Sequence, residues 1–87
     1  MRIARHKHFR KNFQKRILPY PSLVAKFEER LKLFLTDTDS PLLNDHQLTG
    51  DKRDYRSFSV TGDIRVVYKI EGDLLRLYDI GSHNQVY

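Results

Sequence analysis

The second half of the chain constrains the fold most, because its apolar residues recur with the period of a β-strand. Residues 55–60, 64–70 and 74–80 are rich in β-branched and aromatic side chains. Residues 61–63 (Thr-Gly-Asp) and 71–73 (Glu-Gly-Asp) separate them, and each triplet has a glycine available for a turn that needs positive φ. This pattern predicts three antiparallel strands joined as a meander.

The first half follows the helical period instead. Phe9, Phe13 and Ile17 recur at every fourth residue, which predicts an amphipathic helix from Lys7 onward with a cationic outer face. Pro19 and Pro21 end that helix, because proline lacks an N–H group and restricts the residue before it. We expect a second helix with Ser22 as its N-cap. Its apolar stripe comprises Leu23, Val24, Phe27, Leu31, Phe34 and Leu35.

These elements predict an α+β fold in one domain, residues 1–87. Residues 2–5 are suited to a short edge strand, and residues 36–51 to a loop. Two helices must cover one face of the sheet, since an uncovered three-strand sheet would leave its apolar side chains exposed to solvent. The other face is then available for function.

Charge narrows the class of partner. Lysine and arginine number 16 against 11 acidic residues, a net charge of +5, which favours nucleic acid or another anionic partner. Cysteine is absent, so neither disulfides nor thiolate metal sites form. No apolar run reaches the length of a membrane span, and residues 1–8 lack the apolar stretch of a signal peptide. We expect a cytoplasmic protein that does not associate with membranes.

Several polar segments flank the predicted strands in a fixed order. They are residues 44–50 (Asn-Asp-His-Gln-Leu-Thr-Gly), 55–58 (Tyr-Arg-Ser-Phe), 63–68 (Asp-Ile-Arg-Val-Val-Tyr) and 81–87 (Gly-Ser-His-Asn-Gln-Val-Tyr). This ordered set resembles the RelE/ParE toxin superfamily, and within it the YafQ-like branch, over essentially the whole chain. The resemblance implies a RelE-like microbial RNase fold, in which two N-terminal helices pack on a twisted antiparallel sheet. It also implies a type II toxin that cleaves mRNA in the ribosomal A site without a metal or cofactor, and that a cognate antitoxin controls.

The resemblance assigns roles to individual residues. His46, Asp63 and His83 fall where YafQ-like toxins keep catalytic acid–base groups, and Tyr87 falls where that branch has a functional terminal aromatic. Arg65 matches an arginine that contacts the scissile phosphate in the RelE branch.

Arg56 matches another basic position of the RelE branch. With Lys52 and Arg53 it is a candidate for contacts to substrate phosphates. Two residues depart from the pattern: Ser59 stands where YafQ has a histidine, and Asp79 where it has an arginine. We expect Arg65 to supply the positive charge that Asp79 cannot.

Metal-free RNA cleavage uses the 2′-OH as the nucleophile against the adjacent phosphate. It needs a base for that proton, an acid for the leaving 5′-oxygen and cations for the phosphorane. Histidine suits both proton roles because it titrates near neutrality. We predict His83 as the acid and His46, aided by Asp63, as the base, although the reverse assignment is equally compatible with the sequence. Tyr87 is suited to stacking on a base or orienting the phosphate.

Two other functions fit the same fold. ParE-like members of the superfamily poison DNA gyrase and cut no RNA, and the basic surface alone also suits a non-catalytic ribosome- or RNA-binding module. His46 and His83 favour the nuclease, because neither alternative needs proton-transfer groups. His6 and His8 do not predict a metal site, since an H-x-H pair on a helix diverges and no third ligand is visible.

Overall fold

The computed structural model describes residues 1–87. Its helices are α1 (Lys7–Arg16), α2 (Pro21–Thr36) and the short α3 (His83–Val86). Its strands are β1 (Arg2–Arg5), β2 (His46–Gln47), β3 (Arg56–Ser59), β4 (Ile64–Glu71) and β5 (Leu74–Ser82). Two 3-10 turns, Pro41–Leu43 and Gly50–Lys52, flank β2. The α+β class predicted from the sequence is confirmed.

The sheet has five strands in the order β1-β5-β4-β3-β2. The predicted meander is confirmed, because β3, β4 and β5 pair in antiparallel fashion. The sheet as a whole is mixed rather than antiparallel, since β1 pairs in parallel with β5, from Arg2 opposite Leu74 to Arg5 opposite Leu77. A parallel pair needs a long crossover connection, and here the helices and the other strands supply it.

Helix α2 begins one residue earlier than predicted. Tyr20 is its N-cap and Pro21 its first residue, so the assignment of Ser22 as N-cap is wrong. Proline is favoured at the first helical position because its missing N–H has no intrahelical partner there and its φ is already helical.

The main core lies between the two long helices and one face of the sheet. It contains Phe9, Ile17, Phe27, Phe34, Leu43, Phe58, Val60, Val66, Tyr68, Leu75, Leu77 and Ile80, all buried. The opposite face carries only a small cluster of Leu48, Val67 and Val86, with Tyr55 and Tyr78 packed against it. The two helices therefore cover one face, as predicted, and leave most of the second face to β2, α3 and polar side chains.

No helix combines the length and the apolar character that crossing a membrane requires.

Candidate functional site

His46 is positioned by the two-residue strand β2. In the register of β2 with β3, His46 lies opposite Ser57, which places both side chains on the face away from the long helices. The Nδ1 atom of His46 lies 2.9 Å from the carbonyl oxygen of Asn44. A carbonyl can only accept, so Nδ1 carries the proton when the ring is neutral and Nε2 is an open acceptor.

His83 is the first residue of α3, where β5 ends. Ser82 is the N-cap of this helix, and its N–H donates to Oε1 of Gln85 at 2.7 Å, which is one half of a capping box. At the other end, Nζ of Lys52 donates to the carbonyl of Val86 at 2.5 Å. A four-residue helix has too few internal bonds to be stable alone, so these caps and the burial of Val86 hold His83 in place.

Tyr87 lies near both histidines. Its ring centroid is 4.5 Å from that of His83 and 6.3 Å from that of His46, with edge-on geometry in both pairs. Its hydroxyl donates to Oγ of Ser57, which is the one fully buried polar side chain. The ring is thus fixed by a hydrogen bond to the floor of the sheet while its outer edge stays exposed.

These residues line a cleft of about 370 Å³, hereafter the histidine cleft. Its lining residues are His46, Gln47, Leu48, Thr49, Lys52, His83 and Tyr87. The cleft combines two exposed imidazoles, a phenol and an ammonium group, and no carboxylate lines it. Such a set can move protons at neutral pH and stabilise negative charge, which suits the cleavage of a phosphodiester. A larger cavity of about 570 Å³ surrounds Asp45 and Tyr68, but no histidine reaches it.

The structure brings together four of the residues singled out from the sequence, namely His46, Lys52, His83 and Tyr87. Asp63 does not line this cleft. It is exposed at the β3–β4 turn, where its N–H donates to Oγ1 of Thr61.

Arg65 lines a neighbouring cleft instead. Its Nη1 donates to Oγ of Ser59 at 2.8 Å, and its Nη2 lies 3.4 Å from the carbonyl of Gly62. Ser59, at the first of the two departures, therefore serves as an acceptor for this arginine.

Arg56 and Arg53 also lie outside the histidine cleft. Arg56 pairs with Asp45, with 2.8 Å between Nε and Oδ1, and the hydroxyl of Tyr68 donates to the other oxygen of the same carboxylate. The Asp45 carboxylate raises the pKa of Arg56, and burial together with the Asp45 hydrogen bond raises the pKa of Tyr68. Arg53 is exposed, and its carbonyl accepts from the amide of Gln47 at 2.7 Å.

Asp79, the second departure, fastens α1 to β5. Its Oδ1 accepts from Nδ2 of Asn12 at 2.6 Å and lies 3.7 Å from Nη1 of Arg16. Arg16 also donates to the carbonyl of Ile80 at 3.0 Å. Asp79 thus brings an arginine of α1 to the end of β5, just before Gly81.

Three residues that support the site were missed from the sequence. Ser57 is buried and accepts from Tyr87, and nothing in the sequence marks it as different from other strand serines. Gln85 had a readable signal, because Ser82-x-x-Gln85 is the spacing of a capping box. Arg16 had none, since its contacts to Asp79 and Ile80 join positions far apart in the chain.

His6 and His8 do not diverge, contrary to the sequence-based expectation. His6 precedes α1 as its N-cap, and its Nδ1 accepts from the backbone N–H of His8 at 3.1 Å. The two rings stack with centroids 5.0 Å apart, and both contact Tyr78.

Comparison with known proteins identifies relatives of the whole chain. Residues 1–87 match the family described as the bacterial toxin of type II toxin–antitoxin systems, YafQ. Crystalline YafQ from E. coli strain BL21(DE3) superposes with a TM-score of 0.83 at 22% identity, covering 100% of this chain and 99% of that chain. The E. coli DinJ–YafQ complex superposes with a TM-score of 0.82 at 23% identity, covering 100% of this chain and 99% of that chain. A YoeB/ParE toxin from Agrobacterium tumefaciens superposes with a TM-score of 0.79 at 19% identity, covering 95% of this chain and 99% of that chain. No curated protein matches the sequence.

Proposed function

This chain belongs to the YafQ family of type II toxin–antitoxin toxins, and from that premise we propose that it is a ribosome-dependent endoribonuclease that cleaves mRNA in the A site. The observation that supports the proposal most directly is the histidine cleft, in which His46 and His83 both lie against Tyr87. Acid–base cleavage needs two proton-transfer groups within reach of one phosphate, and a phosphate bound in this cleft lies near both imidazoles.

His46 acts as the base in this proposal. Its Nδ1–H is held by the carbonyl of Asn44, so Nε2 is free to accept the proton of the ribose 2′-OH. The 2′-oxygen then forms a bond to phosphorus while the bond from phosphorus to the 5′-oxygen breaks. His83, in its protonated form, gives a proton to that leaving oxygen. The products are a 2′,3′-cyclic phosphate and a free 5′-OH, and no metal or cofactor takes part.

Lys52 and Tyr87 support the transition state. The ammonium group of Lys52 lines the cleft and offers its remaining donors to the phosphorane oxygens. Tyr87 offers its ring edge and face to a nucleobase, since its hydroxyl is already engaged by Ser57. In this arrangement Asp63 and Arg65 act outside the histidine cleft.

The partners follow from the family and the charge. The E. coli relative is found in a complex named DinJ–YafQ, and we propose that a cognate antitoxin likewise binds this chain and blocks its basic surface. A net charge of +5 favours an acidic antitoxin segment and contacts with rRNA phosphates. This function requires access to ribosomes and therefore a cytoplasmic location.

The test is mRNA cleavage on programmed ribosomes by the wild type, by His83→Ala and by the matched control Asn84→Ala. Asn84 is the next residue of the same helix, is exposed and does not line the cleft. We expect cuts within the A-site codon, a loss of about 10²–10⁴-fold in His83→Ala and little change in the control. A folded wild type that binds ribosomes without cutting would reject the nuclease and favour a binding module. Inhibition of gyrase supercoiling by such a protein would favour the ParE-like alternative.

A further inference from the structure

A second cleft, hereafter the cationic cleft, lies at the end of the sheet where β3 turns into β4. It has a volume of about 450 Å³ and is lined by Lys26 and Arg30 of α2, by Arg65 of β4 and by polar groups that include Asn44 and Ser59. No acidic side chain lines it. Three cations from two elements therefore meet at one concave surface without a carboxylate among them.

Arg30 and Arg65 each have guanidinium N–H donors that make no hydrogen bond within the protein. Arg30 donates once, from Nη1 to the carbonyl of Leu42 at 2.7 Å, and Arg65 bonds only to Ser59 and to the Gly62 carbonyl. Neither guanidinium is paired with a carboxylate, and the Nε atoms of both are buried without a partner. A guanidinium group has five N–H donors that match the geometry of phosphate, and partly buried arginines are normally paired with an anion. The cleft therefore offers unpaired guanidinium donors that a phosphate can accept from.

Lys26 is the weaker member of the set. It forms an ion pair with Glu29, one turn along α2, at 3.5 Å. Such exposed pairs stabilise a helix only slightly and exchange readily for another anion. Arg30 and Arg65 therefore provide most of the charge, and Lys26 adds a cation that can be removed without disturbing the fold.

Asn44 connects the two clefts. Asn44 lines the cationic cleft, and its backbone carbonyl accepts a hydrogen bond from Nδ1 of His46. An extended strand of RNA with one phosphate in the histidine cleft would therefore pass over Asn44 to reach Arg65 and Arg30.

We propose that the cationic cleft binds a phosphate of single-stranded RNA next to the scissile phosphate. The inference rests on the proposed nuclease function and gives Arg65 a positioning role on the flanking nucleotide. Such a contact fixes the register of the strand across the histidine cleft and carries no sequence information.

The experiment is an NMR titration of the isotope-labelled protein with two 2′-O-methyl oligonucleotides, which cannot be cleaved. One is a dinucleotide with a single phosphate, and the other is a trinucleotide with two. We expect the trinucleotide to shift the ring signals of His46 and His83 and the Nε–H signals of Arg30 and Arg65 together. It should also bind more tightly than the dinucleotide.

Lys26→Gln should reduce that preference for the trinucleotide by roughly two- to fivefold, the range for an exposed charge pair. Lys32→Gln is the matched control, because it removes the same charge from an exposed site of α2 outside the cleft. Arg30→Gln should abolish the preference, with thermal unfolding recorded to verify the fold after loss of the Leu42 contact.

Three results would overturn the inference. In the first, the trinucleotide shifts only the histidines and Lys26→Gln behaves like Lys32→Gln. In the second, it shifts only the arginines. In the third, inorganic phosphate alone shifts the arginines fully and the trinucleotide adds nothing, which would indicate a site for a small anion. Failure of the nuclease function itself is recognised separately in the ribosome cleavage assay, in which the folded wild type would not cut mRNA whichever signals the oligonucleotides shift.

Discussion

Gly81 is a residue whose small size the structure requires. A Cβ atom at this position would lie 2.6 Å from Nη1 of Arg16, 2.7 Å from Oε1 of Gln85 and 3.2 Å from Cβ of Gln85. The first two atoms are ends of flexible side chains, but each is engaged: Arg16 at the carbonyl of Ile80 and Gln85 at the N–H of Ser82. A methyl group would therefore displace the cap that orients α3 and His83.

We predict that Gly81→Ala destabilises the fold by about 0.5–2 kcal/mol, the range for loss of a helix cap. It should lower cleavage more strongly, by about tenfold or more, because small displacements of catalytic groups are costly. Chemical denaturation and ribosome-programmed cleavage measure the two effects. Gly62→Ala is the control for the stability measurement, since nothing lies within 4 Å of its Cβ position. Equal stability of the two variants would show that Gly81 does not position α3.

Tyr68 links the main core to the polar surface through Asp45. The side chain is almost fully buried, and its hydroxyl donates to a carboxylate that also pairs with Arg56. Burial first, and then the hydrogen bond to Asp45, raises the pKa of Tyr68 above its ordinary value of 10.0. A raised folded-state pKa contributes stability that is fully present below the unfolded pKa and is lost as the pH rises toward the folded one.

We therefore predict that Tyr68→Phe costs about 1–2 kcal/mol of unfolding free energy at neutral pH, through loss of the hydroxyl bond. The difference in unfolding free energy between the wild type and the variant should become smaller above about pH 10, where tyrosine ionises in the unfolded chain. Urea denaturation at a series of pH values measures this difference in unfolding free energy. Tyr20→Phe is the control, because Tyr20 is exposed. A gap that stays constant into strong alkali would contradict the role assigned to Tyr68.

At the scale of elements, the docking of α1 on β5 depends on Asp79. This carboxylate and Arg16 are both largely shielded, with side chains 17% and 22% exposed, and Asn12 completes the contact. An arginine in place of Asp79, as the resemblance to YafQ-like toxins implies, would meet Arg16 here. Asp79 instead holds the guanidinium group of Arg16 beside the strand.

We predict that Asp79→Arg destabilises the protein by about 1–3 kcal/mol, because it places two cations together and removes the acceptor of Asn12. The charge-swapped double variant Asp79→Arg/Arg16→Asp should recover part of that loss. Asp73→Arg is the control, since the Asp73 carboxylate is exposed and its pairs with Arg2 and the N-terminal ammonium group contribute little. Denaturation midpoints measure these proteins together with the single variant Arg16→Asp, and additive effects of the two substitutions would exclude a direct pair.

The elements that the sequence predicted are those whose periodicity is local. Helices α1 and α2 and strands β3 to β5 carry long apolar patterns, and the period alone places them. Strand β2 has only two residues and exists because β3 offers it an open edge, which no local pattern records. The parallel pairing of β1 with β5 is equally non-local.

The candidate site likewise combines residues that the sequence identifies with an arrangement that depends on tertiary contacts. His46, His83 and Tyr87 were identified by resemblance to a family and lie together. Their spacing depends on α3, a helix too short to be recognised by period, and on Ser57, whose burial depends on tertiary contacts. The position of Arg65 in a separate cleft depends on α2, which approaches only in the folded chain.

At the scale of the whole molecule, positive charge is spread over more than the two clefts. Helix α1 carries Arg10, Lys11 and Lys15 as exposed cations, and none of them lines either cleft. Such charges cannot take part in the chemistry, but they attract the protein to a polyanion such as rRNA and raise the rate of encounter.

We predict that Lys11→Gln/Lys15→Gln slows productive association with ribosomes and leaves the cleavage rate at saturating ribosome concentration unchanged. The defect should be larger at low salt and fade as salt rises, because screening removes the same attraction from the wild type. Single-turnover cleavage at a series of ribosome concentrations and salt concentrations separates the two rates. Gln14→Ala, an exposed neutral site on the same helix, is the control. A lower rate at saturation would mean that α1 aligns the substrate, so that its charges act on the bound complex and not only on its formation.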